Sequence, residues 1–137
     1  MPRPSIELPA ALAEQIQQEA ALAAPRECCG LIEGWRDGCG FQVTALHPVC
    51  NLAAEPDRFE IDPCDLLAAA KAARSRGQRI IGCYHSHPDG LAKPSLRDRD
   101  GAAEENFLWL IAAGGRLAAF VYFCGGFAEG DWTMSSG

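Results

Sequence analysis

Apolar positions recur along this chain with two spacings, and the switching between them predicts its elements. Residues 9–23 are mostly strong helix formers, with Leu8, Leu12, Ile16 and Glu19/Ala20 striping one face, which predicts a first helix ended by Pro25. Leu31 and Ile32 open an apolar run that predicts a strand as far as Trp35. Asp37-Gly38 is a turn signal, and residues 41–46 read as the returning strand of a hairpin. Residues 48–58 are rich in turn formers and read as a loop or irregular edge strand, with order resuming at Phe59-Glu60-Ile61. Asp62-Pro63 is a helix start, because Asp caps free amides and Pro fits the first helical position; this helix should run over 63–76 and stop at Gly77. A buried strand over 79–84 follows. After a Gly/Pro loop at 88–94, Ser95 opens a helix reaching about residue 105, and 107–113 and 117–123 are apolar strands joined at Gly114-Gly115. Residues 125–131 read as loop, Trp132-Thr133 as a short last strand, and 135–137 as a frayed end.

The order α-β-β-α-β-α-β-β predicts an α/β (α+β) architecture, a mixed sheet with helices packed on it. No repeat or linker divides the 137 residues, so one domain over 1–137 with a core at about 5–133 is expected. The charge, 12 basic against 18 acidic residues, argues against a nucleic-acid partner, because neutralising phosphates requires clustered Lys and Arg. The Lys residues are Lys71 and Lys93 alone, and the Arg residues are scattered. Seven cysteines are an odd set without repeated spacing, so full internal pairing is impossible and a reduced, cytoplasmic compartment is expected. The Ala-rich beginning is interrupted by Glu7, Glu14 and Glu19, which leaves no mark of a signal peptide or membrane span.

The chemistry concentrates at the end of the 79–84 strand. His85 and His87 are two residues apart, a spacing that puts side chains on one face of a strand with Cα atoms about 6.6 Å apart, so both imidazoles can reach one ion. Asp98, eleven residues after His87, would close the site from the first turn of the next helix. Two imidazoles and a carboxylate leave a bound dication positive, which makes hydroxide available near neutral pH. Hydrolysis also needs a general base and a donor to the developing oxyanion. Ser95, one helical turn before Asp98, offers the donor. Glu27 is a candidate base beside a Gly-containing strand entry, although spacing alone does not choose it over Glu55 or Glu60.

Taken together, Glu27-Cys28-Cys29-Gly30, then His85-Ser86-His87-Pro88, then Ser95 and Asp98, resemble the JAMM (Jab/MPN) metallopeptidase motif of E, H-[ST]-H-P and S-x-x-D. The resemblance fills every motif position and extends over nearly the whole chain. It implies the MPN fold, a curved mixed sheet flanked by helices and similar to cytidine deaminases. It further implies His85, His87 and Asp98 as zinc ligands, Glu27 as the general base, and Ser95 as the group steadying the tetrahedral intermediate. The implied reaction is hydrolysis of a peptide or isopeptide bond after the Gly-Gly tail of a ubiquitin-like or sulfur-carrier protein, in the manner of short bacterial members. The chain has no room for the large insertions with which eukaryotic JAMM enzymes grip ubiquitin.

Other readings stand beside this one. Ser95-Leu96-Arg97-Asp98 has the spacing of a helix capping box, and a metal-bound Asp98 is expected not to complete that cap. Cys28, Cys29 and Cys83 near the site read as small buried hydrophobes rather than nucleophiles or ligands, and His47 as structural. Residues 50–59 are expected to form one wall of a cleft where a tail binds by strand addition. The same fold without catalysis would be an interaction scaffold, and two His with one carboxylate also suit a non-haem iron oxygenase.

Overall fold

The computed structural model describes residues 3–135. Its elements in order are β1 (Ser5–Pro9), α1 (Ala10–Ala23), β2 (Cys29–Asp37), β3 (Gly40–Val49), α2 (Pro63–Ser75), β4 (Arg79–Ser86), α3 (Leu96–Gly101), β5 (Phe107–Ala113), β6 (Arg116–Phe123) and β7 (Gly126–Ser135). The strands follow one another in the order β1-β3-β2-β4-β5-β6-β7, and β1 pairs in parallel with β7 to close the sheet on itself. This is the expected mixed, curved sheet with helices on it.

Alternation along the inner strands splits the core between two faces. Ile32, Tyr84, Leu108 and Leu110 pack with Ile6, Leu8 and Ile16 on the side of α1. Leu31, Cys83, Trp109 and Ile111 form the second cluster with Ala69 of α2. The α2 start is built as expected, since Asp62 accepts the Cys64 N–H at 2.8 Å and Pro63 opens the helix. Strand β4 is central, antiparallel to β2 on one side and parallel to β5 on the other. His85 is therefore held from both sides, opposite Cys29 and Ile111.

Close approach between β2 and β4 depends on Gly30. A Cβ there would lie 2.3 Å from Cζ of Tyr84, whose buried ring hands its O–H to Glu19 of α1 at 2.8 Å. Gly30→Ala is expected to lower stability by about 1–3 kcal/mol, read as an earlier denaturation midpoint, because the ring must leave its place.

A second tie joins the C-terminal end of α2 to the sheet. Buried Glu33 of β2 accepts a two-pronged bond from Arg76, at 2.9 and 2.5 Å, and faces His47 Nε2 at 2.8 Å. His47 is thus structural, with its carboxylate partner supplied by the neighbouring strand rather than by nearby sequence. The Arg76 bond, against the opposing effect of burial, holds the Glu33 carboxyl below its ordinary range. A depressed folded pKa gives stability that is complete above the unfolded value of about 4.3 and is lost as pH falls through the folded one. Denaturant midpoints of the wild type and Glu33→Gln should accordingly converge as the pH is taken from 7 to 3, with the wild type the more stable at pH 7.

Several elements differ from expectation. Leu8, assigned to the helical stripe, belongs with Ile6 to the short strand β1, whose pairing partners Gly40–Gln42 and Asp131–Ser135 are remote in sequence. Strand β7 covers most of the expected 125–131 loop, because β6 and β1 pair with it on either side. Helix α3 ends at Gly101 rather than near residue 105. The hairpin strands are longer than expected, to Asp37 and Val49. Ser135 is the last residue of β7, and residues 136–137 lie outside the described residues.

Candidate metal centre

His85 is the penultimate residue of β4, and His87 follows the strand's end with its N–H bonded to the Ala112 carbonyl at 2.8 Å, which extends the extended backbone by one step. Both side chains consequently point the same way, with their Nε2 atoms 2.9 Å apart. The His85 ring is clamped by Phe59, stacked at 4.4 Å, and by the edge of Trp109. Nδ1 of His87 is 2.8 Å from the Leu91 carbonyl. A carbonyl only accepts, so Nδ1 carries a proton, and whenever the ring is neutral its Nε2 presents a lone pair.

Asp98 arrives from α3. Its Oδ2 stands 3.1 Å from both Nε2 atoms and also accepts the Ser95 N–H at 2.9 Å, while Ser95 Oγ accepts the Asp98 N–H at 3.1 Å. The capping box is therefore complete and faces the histidines at the same time. The cap bond from Ser95 and the contacts to both histidines fall on the same Asp98 oxygen, Oδ2. Ser95 Oγ already accepts a bond, which leaves its own hydrogen free to donate.

Glu27 comes from the turn before β2, whose register beside β4 is set by Ser86: its Oγ accepts the Cys28 N–H at 2.8 Å, and its N–H donates to the Cys28 carbonyl at 3.2 Å. The donor atoms of Glu27, His85 and His87 all lie within 4.8 Å of one another. Glu27 Oε1 and His85 Nδ1 are buried with no hydrogen-bond partner among the described residues.

The four ionisable groups are almost fully buried, at 5% exposure for Glu27, 0% for His85, 7% for His87 and 5% for Asp98. Burial pushes the Glu27 carboxyl up to about 7, with His87 opposing and Asp98 adding to the shift. Burial also lowers His85. For His87 burial is outweighed by the bonds to Asp98 and Leu91, which raise it. Burial would likewise raise Asp98, but the bonds from both histidines hold it far below the carboxylate range. A cation among these groups would favour the ionised carboxylates and neutral imidazoles. Two Nε2 atoms and one carboxylate oxygen facing each other at 2.9–3.1 Å, with Nδ1 of His87 already bonded to a carbonyl, are donors of the types that could hold a divalent metal ion.

Two hollows meet here. One of about 490 Å³ is lined by Glu27, His87 and Ser95 with Asp57 and Leu91, and one of about 1000 Å³ by Asp98, Phe59, Trp109 and Cys83 with Leu66 of α2; Arg97 borders both. Of the expected wall over residues 50–59, Pro56 and Asp57 line the smaller hollow and Arg58 and Phe59 the larger, and the segment is not a strand, its ends joined by the Leu52 N–H to the Glu60 carbonyl at 2.9 Å. Burial pushes all three nearby thiols up, Cys29 to about 12, so none supplies a thiolate at neutral pH.

With this geometry in hand, comparison with known proteins is decisive at the level of family. Residues 9–124 match the prokaryotic homologues of the JAB domain. The chain belongs to that family. It is 39% identical over 105 residues to the desampylase of Haloferax volcanii, covering 75% of this chain and 74% of that one. It is 36% identical over 92 residues to the probable TtuB-protein conjugate cleaving protease of Thermus thermophilus, 66% of this chain and 59% of that protein. The solution structure of protein DSY2949 from Desulfitobacterium hafniense superposes with a TM-score of 0.87 and 31% identity, covering 96% of this chain and 94% of the other. The resemblance to JAMM proteins noted in the motif is thus shown.

In this JAB-domain chain the five motif residues Glu27, His85, His87, Ser95 and Asp98 gather at one place. Phe59 against His85 and Leu91 behind His87 were not anticipated, and neither has a sequence signal: one is an aromatic after a loop, the other acts through its carbonyl. Asn51, whose side chain bonds the Glu27 carbonyl, is hidden in the sequence among turn formers.

Proposed function

We propose that this protein is a zinc-dependent JAMM-type metallopeptidase that hydrolyses a peptide or isopeptide bond at the C-terminal tail of a ubiquitin-like or sulfur-carrier protein. The observation that carries the reading is the convergence of His85, His87 and Asp98 at 2.9–3.1 Å beside the unpartnered Oε1 of Glu27. The names of the relatives, a desampylase and a conjugate cleaving protease, support a protein conjugate as substrate.

His85, His87 and Asp98 would hold the ion, which when bound supplies Lewis acidity toward a water and the scissile carbonyl. Glu27 takes a proton from the attacking water at Oε1 and passes it to the leaving amine. Ser95 turns its free hydroxyl hydrogen to the oxygen on which negative charge develops. Leu91 keeps the His87 proton on Nδ1, and Phe59 and Trp109 fix the His85 ring and keep water from its flank. A Gly-Gly tail, narrow and without side chains, fits a buried centre reached through shallow hollows.

No helix among the described residues is long and apolar enough to cross a membrane. The protein is proposed to act in a reducing cytoplasm, where its seven cysteines would stay as the free thiols seen here. The test is incubation of the zinc-loaded protein with ubiquitin-like proteins carrying tail extensions, followed by mass spectrometry. Release of the extension at the end of the Gly-Gly tail is expected; intact substrates throughout would favour the scaffold reading.

A further inference from the structure

Asn51 lies two residues beyond β3, at the start of the irregular segment that walls the site. Its half-buried side chain makes four hydrogen bonds. Nδ2 donates to the Glu27 carbonyl and to the Arg58 carbonyl, both at 3.0 Å, and Oδ1 accepts the Ala53 N–H at 2.9 Å and the Glu60 N–H at 3.0 Å. Two carbonyl partners on one atom and two N–H partners on the other fix the amide's orientation. The side chain thereby joins three pieces of backbone: the residue that carries the general base, and both ends of the 51–60 segment. Arg26, next to Glu27, reinforces the joint through the carbonyls of Ala53 and Ala54.

A residue whose purpose was only to close its own loop would need the bonds to Ala53, Arg58 and Glu60. The bond to Glu27 does something else, since it couples the base to the segment whose Phe59 stacks on His85 at 4.4 Å. Glu27 approaches the centre from the segment before β2 and His85 from β4, and their separation decides whether a proton can move between water and carboxylate. A displacement of about 1 Å in such a constellation costs roughly 100-fold in rate.

We propose that Asn51 is a positioning residue, which sets the Glu27 backbone and the Phe59 wall of the His85 ligand relative to one another. It touches no reacting atom. The proposal rests on the reading of Glu27 as general base, and its test separates the two. Asn51→Asp keeps the shape and both acceptor bonds but replaces the Nδ2 donor by an oxygen facing two carbonyls. Hydrogen–deuterium exchange should quicken together in peptides covering residues 26–29 and 58–61, with β5 and β6 unchanged, whether or not any substrate is cut. In the zinc-loaded protein, kcat should fall about 30-fold with KM within about threefold and one zinc per chain retained. Asn51→Ser, which keeps one short acceptor, should show the same coupled exchange if the Asp variant does not fold. Faster exchange confined to 52–60 with kcat unchanged would overturn the proposal, leaving Asn51 a closer of its own loop. Coupled exchange with a wild type that cuts no tail would support the positioning and overturn the reading of Glu27 as base.

Discussion

Replacing Glu27 by Gln should lower kcat for tail cleavage about 1000-fold while one zinc per chain stays bound. The amide occupies the same space but cannot take a proton, and a positioned general base contributes roughly 10²–10⁴ in rate. Retention of zinc is expected on the proposed ligand set, because Asp98 stands 3.1 Å from both imidazoles. Glu55→Gln and Glu60→Gln serve as controls, since both residues are exposed, and each should keep kcat within about twofold. Full activity in Glu27→Gln would show that another group accepts the proton. Loss of zinc from that variant would show instead that Glu27 is a ligand.

Replacing His87 by Ala should weaken zinc binding by more than about 100-fold, because loss even of a residue behind a ligand costs 10–100-fold. Cleavage should vanish with the metal. An independent readout is thermal: zinc at about a thousandfold excess over its dissociation constant should stabilise the wild type by about 4 kcal/mol, and the variant hardly at all. An unchanged response to zinc in His87→Ala would place the binding site elsewhere.

Local chemistry was the legible part of this chain. Asp62-Pro63 before α2 and Ser95 before α3 mark helix starts through bonds made within three residues, and both were readable as such. The His85–His87 pair was readable for the same reason, since a two-residue spacing needs only an extended backbone. Glu27 was different. It reaches the site because β2 lies beside β4, a pairing between residues far apart in sequence, and only the whole motif singled it out from Glu55 and Glu60. Strand β1 is not legible because its partners β3 and β7 are remote in sequence, and most of β7 is not because, although it forms a hairpin with the neighbouring β6, Gly126, Gly130 and Asp131 have no strand preference of their own. Asn51 escaped because its residue type is common in loops, and what distinguishes it is four partners at 2.9–3.0 Å that only the fold brings together.

The proposed function depends above all on His85, His87 and Asp98 holding one divalent metal ion beside Glu27. Anomalous diffraction at the zinc edge from crystals of the zinc-loaded protein tests it most directly. One strong peak is expected within bonding distance of Nε2 of His85, Nε2 of His87 and a carboxylate oxygen of Asp98, with Glu27 outside that distance. A peak on cysteine sulfur, or none between the two imidazoles, would contradict it.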